Sequence, residues 1–354
     1  MSLKIKSKIE GIKAMDKQDQ KKWFKELLIN NSLLIFIIIA VVFIQIQIPE
    51  FLAKESIVNI ISLSAAAMPL ALGIAGAIIL TGTDLSAGRI VGLTACVAAS
   101  LLQMSDYANK MFPNLPNIPV LVVFLGIVLM GAVIGCLNGT FMAKFSLHPF
   151  IVTLATQLML YGVILMYLMV GKNNGQAISG LDERYTNLIK GSFFSIGNTP
   201  VPNFILFVIA LTAVMWVVWN KTEFGKNMFA VGSNSEAANV SGVNVGRTII
   251  KVYMLAGALY AVSGFIEAAR IGSNSANTGF NYEMDGIAAC VIGGVSFVGG
   301  IGKISGVVRG VVLLKLIFVG LNFLSVSVNM IYIIKGLIIL VACAIDMRKY
   351  LVRK

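Results

Sequence analysis

The sequence predicts an all-α polytopic membrane protein with about ten transmembrane helices. Three observations carry this. The 354 residues are 57% hydrophobic and 12% charged, with a mean hydropathy of +0.87. A soluble domain of that size cannot hide so much apolar surface. The apolar residues gather into runs close to the length that crosses a bilayer. The net charge of +12 is concentrated at the two ends and in short connections, as in cytoplasmic loops. No basic stripe is interleaved with aromatic residues, so no nucleic-acid partner is expected.

Residues 1–30 are a basic segment expected in the cytoplasm. Ile5, Ile9 and Ile12, set among Lys4, Lys6, Lys8 and Lys13, have the spacing of an amphipathic helix on the inner leaflet. A disordered tail fits the same residues. A signal peptide does not: the charged region is too long, and the next run ends in Ile48-Pro49-Glu50 without a small-residue cleavage site. A transmembrane domain is expected over 31–347, with a basic tail over 348–354.

The apolar runs are 32–48, 58–80, 88–104, 118–142, 149–170, 203–219, 248–269, 284–300, 304–325 and 330–346. The 284–300 run is glycine-rich and suits a re-entrant segment shielded by protein. Basic residues at both ends place both termini in the cytoplasm, which requires an even number of spans. Ten satisfies this, as eight would if two pairs merged. Ten spans put Lys144, residues 220–247 and Lys303 inside, and the polar 171–202 stretch outside. Gly131, Gly135 and Gly139 repeat every fourth residue, as do Gly306 and Gly310. Such spacing lets helix backbones approach closely in lipid, here within one chain in preference to a dimer seam. Cys96, Cys136, Cys290 and Cys343 fall inside apolar runs as small packing residues, with no metal-ligand spacing.

No enzyme constellation is visible. His148, the only histidine, precedes Pro149 at a span start and suits an interfacial role. GGIGKIS (299–305) fails as a phosphate loop, because Phe297 holds the first glycine's place and Ile304 follows Lys303. The spans are nearly free of acids, which argues against a proton relay. Asp84 reads as a helix N-cap near Arg89, Glu267 and Arg270 as an i,i+3 pair, and Glu283 and Asp285 as residues at an outer boundary. The uncharged polar residues Thr94, Asn138, Thr153 and Gln157 are candidates for a path that passes a neutral polyol, although interhelical hydrogen bonding would use the same side chains.

The longest polar stretch between runs is 220–247. Its middle predicts a short helix: Ser233 and Glu236 have capping-box spacing, Ala237 and Ala238 are helix formers, and Gly242 stands where a left-handed cap belongs. Lys221, Lys226 and Arg247 flank it.

The stretch WNKTEFGKNMFAVGSNSEAANVSGVNVG (219–246) resembles the coupling loop in permease subunits of bacterial ABC sugar importers of the ribose, xylose and galactose type. The resemblance extends through TGTDLSAGRIVGLTACVAASLLQ (81–103), HPFIVTLATQLMLYG (148–162) and IEAARIGSNSANTGFNYEMDGIAACVIGGVSFVGGIGKISGVV (266–308), covering roughly residues 30–347. TGTDLSAGR and FGKN…EAANVSGVNVG are most similar to members that carry galactose and methyl galactosides, with ribose or xylose the nearest alternative. The resemblance implies a non-catalytic multi-pass subunit of the bacterial inner membrane. It implies a homodimer, two cytoplasmic ATPase subunits that bind the ATP, and an extracytoplasmic sugar-binding protein. It assigns Gly225, Asn227, Ser233, Glu236, Ala237, Ala238, Ser241 and Gly242 to ATPase coupling, with no cofactor or metal in this chain. An ion-coupled secondary sugar carrier is the alternative of a different class; it would need an acid in mid-membrane.

Overall fold

The structure, a computed structural model, describes residue 16 and residues 32–351. The basic N-terminal segment with its isoleucine stripe, and residues 352–354 of the tail, lie outside the described residues. In chain order the elements are α1 (Ser32–Gln47), a 3-10 turn (Pro49–Leu52), α2 (Lys54–Ile79), α3 (Ala87–Leu101), α4 (Val120–Phe145), α5 (Pro149–Leu168) and α6 (Glu183–Lys190). There follow an antiparallel hairpin of β1 (Ser192–Ile196) and β2 (Thr199–Pro202), then α7 (Phe204–Lys221), α8 (Glu223–Ser233), α9 (Ser235–Val240), α10 (Val245–Ile271), α11 (Tyr282–Ile292), α12 (Ile304–Phe323) and α13 (Val328–Leu351).

Each of the ten apolar runs becomes one helix. Among the described residues α2, α4, α5, α7, α10 and α12 are long and apolar enough to cross a bilayer. Two of the others are short. α3 has 15 residues and α11 has 11. At a rise of about 1.5 Å per residue they span roughly 22 and 16 Å, against a hydrocarbon core of about 30 Å. α3 begins beside the middle of α10, where the Tyr260 hydroxyl donates to Asp84 Oδ2 at 3.1 Å. α11 begins against α3, where Gly88 lies on the Gly279 carbonyl and the Glu283 carboxyl. Both helices therefore start inside the bundle, reached by irregular backbone at 80–86 and 272–281. Neighbouring helices cover that backbone, the condition under which a non-helical segment is tolerated at membrane depth.

α10 is the central helix. Two-thirds (67%) of its most apolar window, and of that of α2, is buried, against 22% for α4. Gly131, Gly135 and Gly139 of α4 lie against Gly257, Tyr253 and Ile250 of α10, so close that an added Cβ would collide with backbone. Gly306 and Gly310 of α12 do the same against Gly293 and Ala289. Both glycine repeats thus pack within the chain. α2 and α10 are also tied by Ser263 Oγ, which donates to the Ala66 carbonyl at 2.8 Å. Cys96, Cys136 and Cys290 are free thiols, with Cys96 and Cys290 buried. His148 caps α5 by accepting the Phe150 N–H at 3.3 Å, and Pro149 takes the first helical position. At the end of α7 opposite α8, residues 171–202 fold into α6 and the hairpin. They dock on the bundle through the Tyr185 hydroxyl, which donates to the Phe265 carbonyl of α10.

The seam predicts a graded response on one helix. Gly135→Leu forces α4 off α10 and destabilises the protein by about 1–3 kcal/mol or more. Gly126→Leu, where nothing lies within 4 Å, is tolerated. Thermal unfolding of the two purified variants in detergent checks the contrast.

Candidate coupling surface and translocation path

The 220–247 stretch forms two helices in place of the single capped helix expected. Thr222 caps α8, its Oγ1 accepting the Gly225 N–H at 3.3 Å. Gly225 is buried because the turn from α7 brings it onto the Trp219 carbonyl. The chain then breaks at Asn234, which is extended (φ −162°, ψ 106°). Asn234 Oδ1 accepts the Ala237 N–H at 2.9 Å and is the N-cap of α9. The Ser233–Glu236 capping box does not form. Ser233 is the last residue of α8, pressed against Gly300, and an asparagine one position later caps at least as well. Gly242 does take the left-handed conformation, with φ +86°. Its N–H donates to the Asn239 carbonyl at 3.0 Å and the Val243 N–H to the Ala238 carbonyl at 3.0 Å, a Schellman ending.

Of the proposed coupling residues, Gly225 and Ala238 are buried and Asn227 is half-buried, donating to Glu223 Oε1 at 3.4 Å. Ser233, Glu236, Ala237, Ser241 and Gly242 are exposed. Val240 at the tip of α9 is 89% exposed, an apolar side chain on a polar knob that the sequence reading passed over. Two clefts flank α9, of about 720 Å³ on the side of Pro149 and Tyr253 and about 470 Å³ on the side of Asn227 and Arg247.

The base of this knob is rigidly seated. Gly232 near the end of α8 lies against the Ile79 carbonyl at the end of α2. The same carbonyl accepts the Gly300 N–H at 2.9 Å. Gly299 in turn touches the Gly232 carbonyl and the Thr81 methyl. α8, α2 and the glycine-rich 293–303 loop meet at one point. The loop that fails as a phosphate site is thus a backbone joint.

The proposed path residues are mostly closed. Thr94 is fully buried, donates to the Ile90 carbonyl of its own helix at 2.7 Å and packs on Gly264. Thr153 is buried and donates to the Pro149 carbonyl at 2.9 Å and the Thr83 carbonyl at 3.2 Å. Asn138, 2% exposed, accepts from Thr156 Oγ1 at 2.6 Å and donates to Ser86 Oγ at 3.0 Å. Ser86 donates to Asp84 Oδ1 at 2.6 Å. Every donor in this chain of hydrogen bonds points toward Asp84. Asp84 stands two residues before the N-cap Ser86 and binds its N–H at 3.0 Å, a variation on the expected cap. Only Gln157 is open to the surface, half-buried. Thr156, Ser86 and Tyr260 are network members that the sequence did not single out, because their partners are 18, 52 and 176 residues away.

The spans also hold more charge than expected. Glu267 and Arg270 pair at 2.8 Å as predicted. Asp285, placed at a boundary by its sequence, bridges Lys335 at 2.8 Å and Lys315 at 3.3 Å across three helices. Glu283 is 1% exposed against the first turn of α3, where the helix dipole favours an anion. Among the described residues no cluster could hold a metal ion.

Residues 56–343 match the family described as branched-chain amino acid transport system / permease component. The galactose/methyl galactoside import permease protein MglC of Escherichia coli is 45% identical over 335 residues, covering 94% of this chain and 98% of that protein. Its counterpart from Haemophilus influenzae is 44% identical over 330 residues, 93% and 97%. The ribose import permease protein RbsC of Escherichia coli is 33% identical over 329 residues, 92% and 96%. No solved structure matches the chain.

The buried network makes a stability prediction. Asn138→Ala strands the Thr156 hydroxyl, removes a donor to Ser86 Oγ and costs about 1–3 kcal/mol. Combining it with Thr156→Val costs less than the two single changes summed, because the second hydroxyl no longer lacks a partner. A double-mutant cycle on thermal unfolding reads the coupling.

Proposed function

The chain belongs to this permease-component family, and on that footing we propose that it is the membrane-spanning subunit of an ATP-driven importer for galactose and methyl galactosides. The observation that carries the sugar assignment is the identity of 45% over nearly the whole chain to a galactose/methyl galactoside permease, against 33% to a ribose permease. We assign it a homodimeric state, two cytoplasmic ATPase subunits and an extracytoplasmic sugar-binding protein, with both termini in the cytoplasm. The basic ends support that orientation. The chain has no phosphate loop of its own, so the work comes from the ATPase.

We assign the contact with the ATPase to α8 and α9. What supports this is a polar, capped, exposed knob whose base is packed on the end of α2 and on the 293–303 loop. A push on α9 reaches the spans through backbone, with little side-chain slack. Movement of those spans then alternates access to the sugar without chemistry on it.

In liposomes the purified chain alone should neither hydrolyse ATP nor concentrate galactose, even on an imposed proton or sodium gradient. Adding its ATPase, its sugar-binding protein and ATP should give uphill uptake. Gradient-driven accumulation by the chain alone would move the assignment to a secondary carrier.

The knob itself is tested by two substitutions. Gly242→Val opposes the left-handed ending and Asn234→Ala removes the cap of α9, each weakening the knob by about 1 kcal/mol. Both variants should insert and express normally yet lose most ATP-driven uptake. Glu236→Ala, which breaks no cap, should lose less; normal uptake in the first two would count against the coupling assignment.

A further inference from the structure

Arg89, on the first turn of α3, is 6% exposed and has no carboxylate within salt-bridge distance among the described residues, the buried Glu283 being an acid whose charge reaches it. Its Nη1 donates to the Ala276 carbonyl at 2.8 Å. Its guanidinium lies over two rings, 4.5 Å from the Tyr161 centroid and 5.2 Å from that of Phe280. The rings themselves face outward, 38% and 48% exposed. Gln157 stands one turn before Tyr161 on the same side of α5. An arginine held at membrane depth is costly, and such residues mark substrate pathways.

We infer that Tyr161 and Phe280 form the surface on which a neutral hexopyranose is handled inside the bilayer, with Arg89 as the residue that positions both rings. The inference rests on the sugar-importer reading. A pyranose ring carries C–H groups on its faces, and these suit the electron-rich face of an aromatic ring. Its hydroxyls project from the edge, where the Tyr161 hydroxyl and the Gln157 amide can exchange hydrogen bonds with them. The charge of Arg89 stays behind the rings and sets no deep trap for a neutral solute. The rings come from different elements, α5 and the 272–281 connection, so the guanidinium on α3 fixes their spacing.

The test uses the complete transporter in proteoliposomes, this chain with its ATPase and sugar-binding protein, and reads labelled galactose uptake and ATP hydrolysis in the same vesicles. Phe280→Ala and Tyr161→Ala should each lower the sugar moved per ATP by about tenfold, the equivalent of about 1.4 kcal/mol of lost ring contact. Hydrolysis stimulated by the binding protein should persist. Tyr161→Phe keeps the ring and should retain much of the uptake. Arg89→Lys should rescue part of what Arg89→Met loses, because a cation still sits on the rings. Unchanged uptake per ATP in both alanine variants would overturn the inference. So would equal loss of hydrolysis and uptake, which would make the rings packing elements. Wild-type vesicles that hydrolyse ATP but move no sugar would overturn the importer reading, and the inference with it.

Discussion

The contact between α4 and α10 is backbone on backbone, and the rest of the bundle is built on it. Lipid tails are as apolar as leucine, so helices in a membrane gain little from hiding apolar side chains against one another. What holds them is close approach, and Gly131, Gly135, Gly139 and Gly257 permit it. α10 is thereby fixed, and its other sides carry the residues that seat α2 and α3. Ser263 reaches the Ala66 carbonyl, Tyr260 reaches Asp84, and Gly264 receives Thr94. The depth at which α3 begins is set by these contacts and has no signal in its own sequence.

That explains what was legible in the residues. Ten apolar runs became ten helices because hydrophobicity is a local property, readable without partners. The glycine repeats were legible for the same reason, as was the Gly242 ending. The half-length of α3 was not, since 81–86 is polar enough for a surface loop and only its neighbours bury it, whereas the glycine-rich 284–300 run already pointed to a shielded segment and yields the 11-residue α11. The capping box failed on a near tie between Ser233 and Asn234, decided by Gly300 pressing on Ser233. Thr94 and Thr153 read as path candidates because a threonine in a span looks alike in sequence whether it faces a channel or donates to nearby carbonyls, as both do here. Lys315 and Lys335 lie inside apolar runs, and a lysine there needs an acid partner, which Asp285 provides.

The joint at Ile79 gives the coupling knob a defined mechanical route. One carbonyl is shared between the end of α2, the Gly300 amide and the back of Gly232. Beyond it the chain turns through Thr81, at φ +62°, and runs to Asp84 in the middle of the bundle. The base of the exposed knob therefore touches backbone at Ile79, and from there the covalent chain reaches Asp84 of the buried polar network within a few residues. A displacement at the first does not have to cross a side-chain interface to reach the second.

The Asp285 bridge also bears on how the protein is made. α11 is too short to cross alone and carries two acids in its first turn, while α12 and α13 bring Lys315 and Lys335. Released singly into lipid from the insertion machinery, each would expose at least one ionised group at roughly 2.5–3.5 kcal/mol. Released together, they neutralise one another. The segment from α11 to α13 is thus expected to leave the translocon as a bundle, after α2 and α10 have formed the wall it packs against, so biosynthesis here proceeds by groups of helices and not one helix at a time.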